Sequence, residues 1–150
     1  MPTDPLSVHK VLVPIDFSDP SQQAIQYARR FATPSNAELL LLYVIEPVAY
    51  PAELGVVINL DADLAERALG ELEKLRQQHL ADYPAARCVV RSGVADAEIV
   101  ATANEEHADL IVIGTHGFSG FKHLLLGSTA ERVVRDATCP VLTVRHHPKK

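Results

Sequence analysis

No apolar run in these 150 residues approaches the ~20 residues that a membrane-spanning helix needs, so no membrane partner is expected. Positive charge is in deficit. Lys and Arg number 14 against 19 Asp and Glu, a formal net charge of −5, which argues against a broad nucleic-acid-binding face. The one basic cluster is the tail Arg145-His-His-Pro-Lys-Lys150. Residues 1–10 lack the charged start and apolar stretch of a secretion signal, and a cytoplasmic protein is expected. Cysteine occurs only at 88 and 139. With 47% hydrophobic and 22% charged residues, the balance is that of an ordinary globular chain. This length predicts a single domain over 1–150, built on one core.

Three phosphate-loop and nucleophile motifs are also missing. No two glycines stand one residue apart after a strand, so the dinucleotide fingerprint is absent. Gly114 is not followed by the Gly-Lys-Ser/Thr of a Walker loop. Gly117-Phe118-Ser119-Gly120 falls short of a nucleophile elbow, which needs Gly where Phe121 stands.

What is present is a different glycine pattern. The apolar run Asp109-Leu-Ile-Val-Ile113 leads into Gly114, Gly117 and Gly127, and Ser128 and Thr129 then open a helical pattern. Backbone N–H groups, two hydroxyls and a helix N-terminus around one small space hold phosphate without many cations.

Five apolar runs alternate with helical patterns. Strands are predicted at 10–15, 38–44, 87–91, 109–113 and 140–145. Helices are predicted from a Ser18 or Asp19 cap to about Ala32, from Asp61 to about Asp82, over 95–106 and over 128–136. Ala24, Tyr27, Ala28 and Phe31 are expected on the buried face of the first helix, and Leu64, Ala68, Leu72 and Leu75 on that of the second. Such alternation gives an α/β fold, a five-stranded parallel sheet with helices on both faces. Right-handed crossovers lead to the strand order 3-2-1-4-5. The crevice opens between the carboxyl ends of strands 1 and 4, where Asp16 and Gly114 meet. In that order Cys88 and Cys139 fall at opposite edges, four steps of ~4.8 Å or roughly 19 Å apart, and both are expected as free thiols.

Each signal has a plainer reading. The glycines can serve turns with positive φ, and Ser128 or Thr129 can simply cap a helix. Asp16 can bond its own loop, or hold a ribose hydroxyl, an adenine amine or a phosphate-bound metal. His116, His123 and Lys122 flank the loop as charge beside phosphate or as a solvated face; two histidines alone make no zinc site. No nucleophile–base pair or spaced carboxylate pair is legible. A receiver-like phosphoacceptor role for Asp16 lacks its acidic pair, since Val13 and Pro14 precede it.

Val11-Leu-Val-Pro-Ile-Asp-Phe-Ser18, Asp109 to Gly117, Leu124-Leu-Leu-Gly-Ser128 and Cys139-Pro-Val-Leu-Thr-Val144 closely resemble the universal stress protein family. The resemblance runs from about 9 to 145. Its most specific element is Gly-x2-Gly-x9-Gly-Ser/Thr, met at Gly114, Gly117, Gly127 and Ser128, which marks the ATP-binding branch of that family. It implies a Rossmann-like, adenine nucleotide α-hydrolase-like fold. It also implies that Pro14 and Asp16 border adenosine, that Val44 meets adenine through its backbone, and that Ile113 and Gly114 line the same pocket. Gly117, Gly127, Ser128 and Thr129 would hold the phosphates of ATP, often with Mg or Mn. A homodimer through the last strand, Val141 to Val144, is implied too, and it would cover an apolar edge.

One departure is Phe118, where many ATP-binding relatives carry Arg; Lys122 and His123 are the nearest cations in sequence. The function expected is an ATP-binding stress-response or signalling switch with little or no turnover. The alternative is a slow ATPase or an autophosphorylating enzyme using Ser128, Thr129 or Ser119. ADP, AMP and cyclic nucleotides stay open as ligands.

Overall fold

The computed structural model describes residues 7–47, 60–115 and 126–146. The elements run β1 (Lys10–Pro14), α1 (Asp19–Ala32), a 3-10 turn (Thr33–Ser35), β2 (Glu38–Ile45), α2 (Leu60–Leu80), β3 (Ala86–Ser92), α3 (Ala95–Glu105), β4 (Leu110–Gly114), α4 (Ser128–Asp136) and β5 (Val141–Val144). The strands form one parallel sheet in the order β3-β2-β1-β4-β5. This is the α/β arrangement expected from the alternating runs, and β3 and β5 are its edges.

Because side chains alternate across a strand, each apolar run feeds two cores. Val11, Val13, Leu39, Leu41 and Val112 point to the side covered by α1 and α2, with Leu72, Leu75 and Leu80 packed on them. Leu12, Leu40, Leu42, Ile111 and Ile113 point to the other side and meet Ile99, Ala103 and Val133 of α3 and α4. Burial on both faces is why these strands read as continuous rather than alternating apolar runs.

Two helical faces differ from expectation. In α1, Ala24 and Ala28 are buried as expected, but Tyr27 and Phe31 are 44% and 48% exposed, and Ser21, Ile25 and Ala32 are buried with the two alanines. Small residues on that stripe let the helix sit close to the sheet, and the aromatic rings turn outward. In α2, Leu72 and Leu75 are buried as expected, but Leu64 is 40% exposed and Ala68 only half-buried. At 21 residues α2 is about 31 Å long, against about 23 Å for the seven residues of β3. Its first turns therefore overhang the sheet. The helix begins at Leu60, one residue before the start expected at Asp61.

At the amino end of the sheet, Lys10 and Arg87 both pair with Glu38 and Glu106. Arg87 and then Lys10 hold the Glu106 carboxyl below its usual range. Asp109 accepts the N–H groups of His9 and Lys10 at 2.8 and 2.9 Å. This polar belt ties strands together on the side away from the carboxyl-end crevice. Cys88 lies in β3 and Cys139 just before β5, both half-buried free thiols. Burial, with Glu73 adding to it, pushes the Cys88 thiol up to about 12, and burial also raises Cys139. Neither is suited to act as a thiolate near neutral pH.

Candidate functional site

The carboxyl ends of β1, β2 and β4 open onto a cleft of about 200 Å³. Pro14, Asp16, Val44, Ile113, Gly114, Gly127, Ser128 and Thr129 all line it. Gly117 lies outside the described residues, as do His116, Phe118, Ser119, Gly120, Phe121, Lys122 and His123. Eight of the residues singled out in the sequence thus meet at one place, where strand order reverses direction. Ser18, expected only as a helix cap, also lines the cleft, together with Ser21, Tyr43, Ala95 and Ile99, for which no sequence signal was available. They are ordinary residue types, and only the topology brings α3 over this rim.

Three helices begin on the rim, and they differ in how their first amides are met. Ser18 caps α1: its hydroxyl accepts the Ser21 N–H at 3.4 Å, with Pro20 in the first turn. Val94 gives α3 no side-chain cap, but Glu46 at the end of β2 accepts the Ala95 N–H at 3.1 Å. The N-cap of α4 is Gly127, with no side-chain bond. Ser128 and Thr129 are therefore inside the helix and are not its caps. The first amide satisfied within α4 is that of Glu131, which donates to the Gly127 carbonyl at 2.9 Å. The amides of residues 128–130 precede it and have no partner in the helix, and they sit at the positive end of its dipole.

Gly114 and Gly127 are not turn glycines of the positive-φ kind. Gly127 has φ −67° and ψ 158°, values open to any residue, and Gly114 is not among the positive-φ positions. Gly114 answers to close approach instead. A Cβ there would lie 2.9 Å from the Pro20 carbonyl carbon and 3.0 Å from the Ser21 nitrogen. The end of β4 and the start of α1 pack backbone to backbone. Gly127 then donates its N–H to the Thr115 carbonyl, which fixes the entry to α4 beside β4.

Asp16 organises its own turn and also reaches the cleft. Its Oδ1 accepts from the Ser18 N–H at 2.9 Å and from the Ser18 hydroxyl, so it does organise its own turn. Its residue is nevertheless exposed on the cleft, with Oδ2 uncommitted among the described residues. Asp16 is the one carboxylate among the described lining residues, which include no Lys, Arg or His. No group of three His, Cys, Asp or Glu residues suited to a metal stands among the described residues.

The β2 rim carries a polar backbone edge. The β1 register stops at Pro14 opposite Leu42, and the Leu42 carbonyl accepts the Ile15 N–H at 2.7 Å. The Ile45 carbonyl turns the other way, to Gly93 N–H on the β3 side at 2.9 Å. Alternation therefore points the Val44 N–H and C=O toward the β1 side, beyond the last ladder pair that β1 supplies. A donor and an acceptor face the cleft side by side, with Leu42, Ile99 and Ile113 as apolar neighbours.

Comparison with known proteins agrees with this architecture. Residues 7–145 match the universal stress protein family. The chain is 36% identical over 146 residues to universal stress protein MJ0531 of Methanocaldococcus jannaschii, covering 94% of this chain and 84% of that protein. The solved structure of MJ0577 from the same organism superposes with a TM-score of 0.80 at 31% identity, over 95% of this chain and 99% of that one. A universal stress protein crystallised in complex with cAMP matches with a TM-score of 0.68 at 26% identity, over 94% of this chain and 99% of its own. The chain belongs to the universal stress protein family.

Proposed function

We propose that this protein is a homodimeric stress-response or signalling switch that binds ATP in the cleft. Nucleotide occupancy sets its conformation or its choice of partner, with little turnover. The observation that carries the reading is the contrast on the rim: α1 and α3 each have one early amide, that of Ser21 and that of Ala95, met by a side chain, whereas among the described residues α4 opens onto the cleft with no side-chain cap. The three amides that lack a partner within the helix, the α4 dipole and the hydroxyls of Ser128 and Thr129 suit phosphate oxygens. Gly127 brings no side chain to this end of α4, and Gly117 would add to the same cradle.

Across the cleft, the Val44 N–H and C=O match adenine, whose N1 accepts and whose exocyclic amine donates. Guanine presents the reverse pattern and would set donor against donor. Pro14, Ile113 and Gly114 border the nucleoside between these two ends, and Asp16 takes a ribose hydroxyl or the adenine amine. The relative crystallised with cAMP supports an adenine nucleotide. With one carboxylate among the described lining residues, Mg or Mn would be carried mainly by the phosphates, as is usual for Mg. Positioning a water for hydrolysis takes a base beside the terminal phosphate. Asp16, already tied to Ser18, is a poor candidate for that task. Edge strand β5 pairs with its copy in a second chain, and this protects Val141 and Leu142. The protein works in the cytoplasm.

Calorimetric titration of nucleotide-free protein with ATP, with and without Mg, tests the reading. Saturation near one site per chain is expected, with GTP at least about tenfold weaker because its mismatched edge leaves buried groups unpaired. Absence of heat at millimolar ATP would overturn it.

A further inference from the structure

Phe17 is one of three non-glycine residues with positive φ among the described residues, at 65°. The other two are Asn36 and His107, types that visit the left-handed region with less difficulty. For a bulky aromatic residue this backbone is a true outlier. Such strain persists where the surroundings over-determine it. Here they do. The Phe17 carbonyl accepts from Gln22 Nε2 at 3.2 Å. On either side, the Ser18 N–H and hydroxyl hold Asp16 Oδ1, and the Asp16 N–H reaches Ser21 Oγ at 3.4 Å. The Phe17 ring packs on Tyr43 with centroids 5.1 Å apart and planes inclined by 51°. Both rings are half-buried against the α1 and α2 core.

The two ring partners neighbour the two sides of the cleft. Phe17 follows Asp16, and Tyr43 precedes Val44. Without the left-handed turn at Phe17, the chain leaving β1 could not both present Asp16 on the cleft and return Ser18 to cap α1. The hydrogen bonds of Asp16, Ser18 and Gln22 tie the turn to α1, and the ring contact with Tyr43 ties it to β2.

From this we infer that Phe17 is a positioning residue. Its strained backbone and its contact with Tyr43 fix the Asp16 carboxylate at the nucleotide, although Phe17 itself is absent from the cleft lining. The inference rests on the cleft being the nucleotide site and adds a residue that acts through Asp16. It also assigns the strain a purpose: the turn is set before the ligand arrives, so binding does not have to order it.

The test is a double-mutant cycle read by ATP titration, using Phe17→Gly, Asp16→Asn and the double variant, with Phe17→Tyr as the conservative control. Glycine accepts the left-handed backbone while freeing the turn and removing the ring, so the fold is expected to stand, as thermal unfolding of each variant will report. In the wild-type background Phe17→Gly should weaken ATP about tenfold, in the range of coupled neighbours. In the Asp16→Asn background it should change affinity less than about twofold, because its target is gone. Phe17→Tyr, which keeps ring and strain, should bind as wild type does. An equal loss from Phe17→Gly in both backgrounds would overturn the positioning role while leaving the nucleotide site intact. Failure of wild-type protein to bind ATP would instead remove the site itself. Those two failures are read from different arms.

Discussion

Gly127→Leu is expected to abolish measurable ATP binding while leaving the fold unchanged. The separation follows from the backbone: at φ −67° and ψ 158°, leucine is as comfortable as glycine, and the N–H that reaches the Thr115 carbonyl is retained. What changes is the space above the first turn of α4. In the proposed site, a side chain there would stand between phosphate and the amides of residues 128–130. Hydrogen bonds to a charged group contribute about 1.5–3 kcal/mol each, so losing even two corresponds to a weakening of at least about 100-fold. Calorimetry checks the affinity, and circular dichroism with thermal unfolding checks the fold. Retained affinity would remove α4 from the site, whatever else the cleft binds.

Gly114→Ala should behave differently, lowering stability and affinity together. Its added Cβ would meet Pro20 at 2.9 Å and the Ser21 nitrogen at 3.0 Å, and these are largely backbone atoms that no rotamer change can move. Either β4 or the start of α1 must shift. Overpacking of this kind costs about 3 kcal/mol, or roughly 6–12 °C in Tm for a chain of this size. The displaced turn carries Ser18 and Asp16, so ATP should also bind about tenfold less tightly, as for neighbours coupled through one backbone shift. Differential scanning calorimetry with and without ATP measures both effects. An unchanged Tm would mean that the two backbones do not meet as the structure has them.

These two glycines illustrate what a sequence discloses and what it withholds. Both stand out in the spacing Gly114, Gly117, Gly127, and both do lie on the cleft. Their reasons differ, and neither is a positive φ. Gly114 is demanded by α1, a helix nearly a hundred residues earlier in the chain, and no local pattern could disclose that contact. The strands were legible because burial on both faces gives continuous apolar runs, and right-handed crossovers then leave few ways to order them.

Helical faces were harder, because their burial depends on what lies opposite. In α1 the expected stripe of Ala24, Tyr27, Ala28 and Phe31 held for the two alanines, but the close seat of the helix on β4 turns the two aromatic residues outward and buries Ala32. In α2 the periodicity continued to Leu64, beyond the reach of the β3 strand beneath it. Asp16 was legible as a loop-bonding residue or a ligand contact, but the left-handed turn at Phe17 beside it was not. Val44 is the reverse case. Its contribution is a backbone edge created by the end of β1, and its side chain says nothing of it. That position entered through family resemblance, and the ladder register supplies the physical reason.

A crystal structure of the protein with ATP and Mg bound would test the central claim most directly. The account predicts phosphate oxygens within about 2.7–3.2 Å of amides among residues 128–130, and the adenine edge paired with the Val44 N–H and C=O. A nucleotide bound with its phosphates away from Gly127, or with its base away from Val44, would contradict it.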